Sequence, residues 1–270
     1  MNKQINVIER TGERPILLDY LVHKEYSSKE WVVFVHGFKG YKDWGAWNLV
    51  AEEIYKSGFN VLKFNFSCNG GTVKEPIDFP DLDSFAENTY SIEQKDLEDV
   101  IDWLQRYSPI GIHLIGHSRG GAAVLLKSCS DKVTKVISWA GVSDFYSRIT
   151  DDQIKAWKNE GVYYVKNSRT NQLMPMKKSF YDDLMNNKDK LNILETVKRS
   201  NKNILLIHAK NDLVVSFEDS KALAGIAKNS KLIILDSGGH TFDINHPWNE
   251  SFLPETMKKV LSETISFIKS

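Results

Sequence analysis

Cysteine is scarce in this chain: 270 residues carry only Cys68 and Cys129. Two thiols are too few for a disulfide framework or a cysteine-rich zinc site. Charge of one sign is equally absent, because 35 Lys and Arg residues balance 35 Asp and Glu residues. With no net charge there is no long-range field to draw in nucleic acid or an anionic membrane. Apolar runs reach only strand length, as in Trp31 to Val35, which excludes a transmembrane helix of the usual span. The segment from Met1 to Asn6 lacks the apolar core of a secretory signal. No internal repeat, low-complexity tract or second core is evident. These absences set the expectation of a cytoplasmic monomer or homodimer acting on a small molecule, with no nucleic-acid or membrane partner.

What is present is the composition of an ordinary globular domain, 41% hydrophobic and 26% charged. The length is sufficient to bury a sizeable core. From residue 31 onward, strand-like and helix-like segments alternate, the signature of a largely parallel sheet covered on both faces. Strands are expected at Trp31–Val35, Asn60–Phe66, Ile112–Ile115, Lys135–Ala140, Ile204–His208 and Lys231–Leu235, after an N-terminal hairpin formed by Gln4–Arg10 and Pro15–His23. Helices are expected at Trp44–Ser57, Thr89–Tyr107, Gly121–Ser130, Phe217–Lys228 and Pro254–Lys269. The segment 145–191 breaks the rhythm, being polar and aromatic without a clear strand–helix unit. A stretch of this length inside a compact domain is expected to be a lid or binding insertion, with Asn167–Asn171 as a hairpin tip or loop. The whole chain, 1–270, reads as a single domain carrying that insertion.

The richest stretch is Ile112-His113-Leu114-Ile115-Gly116-His117-Ser118-Arg119-Gly120-Gly121. An apolar strand runs into Gly-x-Ser-x-Gly and then into a small-residue helix. That setting predicts a strained strand-to-helix turn with the Ser118 hydroxyl exposed above the sheet. Gly116 and Gly120 are required because a Cβ at either position would collide across the turn.

Such a serine needs a base, and the base needs a carboxylate to fix its tautomer. Partners are sought on loops at the carboxyl ends of later strands, in the order Ser, Asp, His. Asp212 follows the fifth expected strand in Ala209-Lys210-Asn211-Asp212, and His240 follows the sixth in Asp236-Ser237-Gly238-Gly239-His240. Asp144, after the fourth strand, is the runner-up acid. Charge developing on the substrate oxygen calls for preorganised backbone N–H groups. Arg119 supplies one, and Phe38 in His36-Gly37-Phe38-Lys39-Gly40 is the candidate for the other. His117 and His208 read as structural histidines, and nothing marks Cys68 as a low-pKa thiol. Trp44, Trp157 and Met174 are the candidate substrate contacts; Trp47 is a candidate wall of the acyl pocket or a core aromatic, and Arg169 reads first as a solvated surface arginine and second as a substrate contact. The Arg119 guanidinium either meets a substrate carboxylate or pairs with an acidic side chain.

Through these motifs, and from about residue 16 to its C-terminus, the chain resembles α/β-hydrolase-fold serine hydrolases. Within that superfamily it is most similar to the bacterial branch of dienelactone-hydrolase-like and cinnamoyl (feruloyl) esterase-like enzymes. Arg119 stands where cinnamoyl-type esterases often have Gln, and Ser118 where dienelactone hydrolases have cysteine. The resemblance implies a mostly parallel sheet of about eight strands with helices on both faces and a small lid. It also implies hydrolysis of carboxylic esters with small or medium acyl groups, aromatic ones included, without a metal or organic cofactor. A serine peptidase, thioesterase or carbon–carbon bond hydrolase of the same fold is the alternative, and a non-catalytic small-molecule receptor is a more distant one.

Overall fold

The computed structural model describes residues 3–23 and 29–270. Met1 and Asn2, which open the segment considered as a leader, lie outside the described residues. Eight strands form one sheet among the described residues: β1 (Lys3–Ile8), β2 (Ile16–Leu21), β3 (Glu30–Val35), β4 (Asn60–Phe64), β5 (Gly111–His117), β6 (Lys135–Trp139) and, after a separate hairpin of β7 (Val162–Asn167) and β8 (Gln172–Lys177), β9 (Asn203–Ala209) and β10 (Ser230–Leu235). The order across the sheet is β1-β2-β4-β3-β5-β6-β9-β10. β2 runs antiparallel to both neighbours, and every pair from β4 to β10 is parallel. The expected N-terminal hairpin and the mostly parallel eight-stranded sheet are therefore both present.

Helices α1 (Trp47–Lys56), α2 (Leu82–Glu87), α3 (Tyr90–Leu104), α4 (Arg119–Leu126), α5 (Asp151–Glu160), α6 (Lys178–Asn186), α7 (Ile193–Arg199), α8 (Phe217–Ile226) and α9 (Glu255–Lys269) complete the chain. Strand alternation sorts the core into two layers. Trp31, Val33 and Val35 of β3 face a layer shared with α3, α4, α7 and α8. Val32 and Phe34 face the layer shared with α1 and α9. The helix after β3 thus covers one face and the principal helix after β4 the other, so the chain reverses its direction of travel across the sheet at β4, and the crossovers leaving the adjacent strands β3 and β5 run to opposite faces. Ligands in open α/β sheets bind at the carboxyl ends of strands beside such a reversal. The loops after β3 and β5 meet there.

Two expectations change. The first helix begins at Trp47 rather than Trp44, because Gly45 adopts φ 56° and holds the preceding residues in a turn. The segment 145–191 is not irregular: α5, the β7–β8 hairpin and α6 occupy most of it. Its helices carry no broad apolar stripe, since α5 buries only Trp157 and α6 only Phe180 and Leu184. Pro175 in β8 pairs with Tyr164 of β7 in a two-stranded sheet, where proline removes no ladder bond of a central strand. The expected hairpin tip at Asn167–Asn171 does fall at the turn between these strands.

Leu114 is fully buried in β5, between β3 and β6. Leu114→Ala should destabilise the fold by about 2–5 kcal/mol, read as a lower midpoint in urea unfolding; an unchanged midpoint would show that β5 does not anchor the core.

Candidate active site

The turn at Ser118 is forced by backbone contact. Ser118 has φ 57° and ψ −120°, a region that costs non-glycine residues conformational energy. Its N–H donates to the Trp139 carbonyl at 2.8 Å, which ties the turn to β6. A Cβ on Gly116 would lie 2.0 Å from the Gly120 carbonyl oxygen. One on Gly120 would lie 2.3 Å from the Val35 carbonyl oxygen at the end of β3. Both positions therefore accept only glycine, as the motif implies.

His240 reaches this serine from the loop after β10. Its Nε2 is 2.9 Å from Ser118 Oγ, and its Nδ1 is 2.8 Å from Asp212 Oδ2. An ionised carboxylate only accepts, so the ring proton sits on Nδ1 and Nε2 accepts the Ser118 O–H. Asp212 is held on every side. Oδ1 accepts the N–H groups of Val214 at 2.8 Å and Val215 at 3.0 Å, while Oδ2 also accepts from His208 Nε2 at 3.1 Å. Burial alone would raise this carboxyl, but the bonds from His208, His240 and Val215 outweigh it and hold it well below the usual carboxylate range. Asp144 is bonded elsewhere: it accepts the N–H groups of Tyr146 and Ser147 at the start of a short helical turn.

The neighbouring histidines hydrogen-bond to parts of this arrangement. His208 is fully buried, with Nε2 also 3.0 Å from the Val215 carbonyl and Nδ1 2.8 Å from Ser220 Oγ. His117 donates from Nε2 to the His240 carbonyl at 2.8 Å, so it fixes the backbone that carries that ring. Burial, reinforced by His240, pushes His117 down to about 3. His36 accepts the Phe66 N–H at Nε2, 3.2 Å away, and donates from Nδ1 to the Gly37 carbonyl at 2.9 Å. It thereby shapes the loop after β3 that contains Phe38.

That loop sits directly against the serine, since a Cβ on Gly37 would lie 3.0 Å from Ser118 Cβ. Among the described residues, neither the Phe38 N–H nor the Arg119 N–H has a hydrogen-bond acceptor. Arg119 begins α4, where the first N–H groups are unsatisfied by the helix itself. Its guanidinium pairs with buried Glu93 at 3.2 Å and lies 4.0 Å from the centre of the Phe38 ring. The acidic-partner reading of Arg119 is therefore the one the structure supports. Glu93 shares a helical face with Leu97, Val100 and Leu104, and an acid on an apolar stripe is its one signal in the sequence.

A pocket of about 250 Å³ opens beside Ser118, with Phe38, Lys39, Trp44, Trp47, Asn167, Arg169 and His240 in its walls. Trp44 is among these walls. Trp157 and Met174 are not: they are 1% and 0% exposed and belong to the main hydrophobic core. Trp157 stacks on Tyr181 and donates its indole N–H to the Met176 carbonyl. Period-2 alternation places Met174 and Met176 on the inner face of β8, away from solvent. No helix among the described residues is long and apolar enough to cross a membrane.

The profile of the Alpha/beta hydrolase family matches residues 32–250. Among solved structures, alpha/beta hydrolase domain-containing protein 10 from mouse is similar at 18% identity, covering 98% of each chain with a TM-score of 0.73. Est1E from Butyrivibrio proteoclasticus is similar at 16% identity, covering 98% of this chain and 97% of that one with a TM-score of 0.72, and another structure of Est1E holds ferulic acid. A monoacylglycerol lipase of Paleococcus ferrophilus covers 94% of this chain and 98% of its own at 15% identity, with a TM-score of 0.68. At these identities the likeness shows a shared fold. No curated protein sequence matches the chain.

Burial holds His36 and His113 at about 4, as it holds His117 at about 3, with Arg119, Lys135 and His240 respectively adding to the effect. All three lie below the ordinary histidine value, so between pH 6.5 and about 4 the unfolded chain binds more protons than the folded one. Stability is thus full above the unfolded value and is lost as pH falls through this window. Each histidine contributes a slope of up to about 1.4 kcal/mol per pH unit. Urea unfolding at pH 7 and pH 5 should show the lower stability at pH 5; equal stabilities would contradict the neutral, buried state of these rings.

Proposed function

This chain belongs to the alpha/beta hydrolase family, and on that premise we propose that it is a serine hydrolase cleaving carboxylic esters through an acyl-enzyme on Ser118. The observation that carries the reading is the unbroken chain of hydrogen bonds from Ser118 Oγ through His240 to Asp212. Ser118 Oγ attacks the acyl carbonyl while His240 Nε2 takes its proton. Asp212 keeps the imidazole in the required tautomer and stabilises the imidazolium that forms. The N–H groups of Phe38 and Arg119 bind the oxygen as it gains charge. Collapse of the intermediate expels the alcohol, protonated by His240. Water activated by the same ring then releases the acid and restores Ser118.

Residues 145–191 act in this reading as the lid of a single-domain enzyme, with the β7–β8 turn forming part of the pocket wall. Trp44 and Trp47 give that pocket aromatic sides, which suit small or medium acyl groups, aromatic ones included. Ferulic acid bound to Est1E supports the same range. Both cysteines are free, in keeping with a reducing cytoplasm.

The test is reaction with a fluorophosphonate and turnover of p-nitrophenyl butyrate. Wild-type protein should be labelled at Ser118 and should hydrolyse the ester. Ser118→Ala should lose both, and Asp212→Asn should lower kcat by about 10³–10⁴-fold while leaving the fold intact by circular dichroism. Undiminished turnover by Ser118→Ala would remove the mechanism.

A further inference from the structure

The turn between β7 and β8 brings two unusual donors to the wall of the Ser118 pocket. Asn167 is only 6% exposed, yet its Nδ2 has no acceptor among the described residues. Its amide orientation is settled by its other end, because Oδ1 accepts the Arg169 N–H at 3.3 Å; turning the amide over would set two donors against each other. Arg169 is held in place by Asp78, which pairs with Nη1, and by the rings of Tyr41 and Phe79, 5.7 and 5.8 Å from the guanidinium carbon. Asp78 is itself braced by the Tyr41 hydroxyl at 3.4 Å. The second nitrogen, Nη2, is buried and has no acceptor among the described residues. Both residues line the same pocket as Ser118 and His240.

Buried donors without acceptors are costly and uncommon in folded proteins. Two from residues 167 and 169, at the wall of one pocket, imply that the acceptor arrives with the ligand. Charge says which kind of acceptor. Lys39, also in the wall, donates only to the Lys166 carbonyl at 3.3 Å and has no acidic partner among the described residues. Lys39 and Arg169 against Asp78 leave one positive charge at this end of the pocket. A carboxylate balances that charge and has enough lone pairs for several N–H donors at once.

We propose that the pocket selects esters bearing a carboxylate group beside the scissile bond, held by Arg169 Nη2 and Asn167 Nδ2 with Lys39 completing the charge balance. The selection rests on the serine-hydrolase reading of Ser118, but the binding part of it can be read without turnover. Two matched pairs of esters cover the two sides of the bond: mono-p-nitrophenyl glutarate against p-nitrophenyl valerate, and 4-acetoxybenzoate against its methyl ester. In at least one pair kcat/KM should favour the carboxylate form by tenfold or more. In Arg169→Met and Asn167→Leu that ratio should fall toward one. Separately, calorimetry on Ser118→Ala should show monomethyl glutarate binding more tightly than dimethyl glutarate, and the difference should vanish when Arg169→Met is added. Equal kcat/KM within both pairs, a preference for the neutral ester, or the same ratio in wild type and Arg169→Met would overturn the proposal even with Ser118 labelled by fluorophosphonate. Arg169-dependent binding of the monoester to a protein whose Ser118 is neither labelled nor active would uphold the anion site and overturn the hydrolase reading instead.

Discussion

The backbone of β5 passes so close to the start of α4 that no side chain fits between them. Gly116 and Gly120 meet across the turn, and Gly120 also abuts the carbonyls that end β3. Everything else in the site is arranged around that contact. It drives Ser118 into a positive φ and lifts its hydroxyl out of the sheet. It also brings the loop after β3 against the serine, while His240 meets the hydroxyl from the loop after β10. The strain at one residue is sustained by the packing of β5 between β3 and β6, where every residue of the strand is buried.

Asp212 is the second fixed point. Four hydrogen bonds, two from backbone N–H groups and two from histidine rings, leave it no freedom to turn. Its orientation is passed on to His240, whose backbone is anchored independently through His117. The imidazole is thus held at its ring by a carboxylate and at its main chain by a second imidazole. Burial keeps His117 uncharged near neutral pH, so no second positive charge competes with the one that His240 acquires in the proposed reaction.

Arg119 joins these parts through its side chain. The residue that opens α4 places its guanidinium over the Phe38 ring and against Glu93, so the two candidate oxyanion donors are linked by a cation–π contact as well as by the sheet. Such a contact is stronger when desolvated, and both Arg119 and Glu93 are largely removed from water.

Local sequence determined the strands, the elbow and the order Ser118, Asp212, His240, because each rests on patterns a few residues long: apolar runs bounded by turns, glycines at a forced contact, and a polar residue just past a strand. It also marked Trp44 as a residue near the serine. The tertiary structure alone decided what the insertion does. Helices α5 and α6 bury one and two side chains, too few to print a helical stripe, and Met174 sits in a short hairpin strand, so Trp157 and Met174 look like exposed candidates when they belong to the main core. Asn167 and Arg169, in a polar turn with no local sign of burial, become pocket walls only when the hairpin folds back beside the loop after β3. The partner of Arg119 was settled in the same way: Glu93 stands on α3, and whether the two meet depends on how elements pack, which no short window of sequence records.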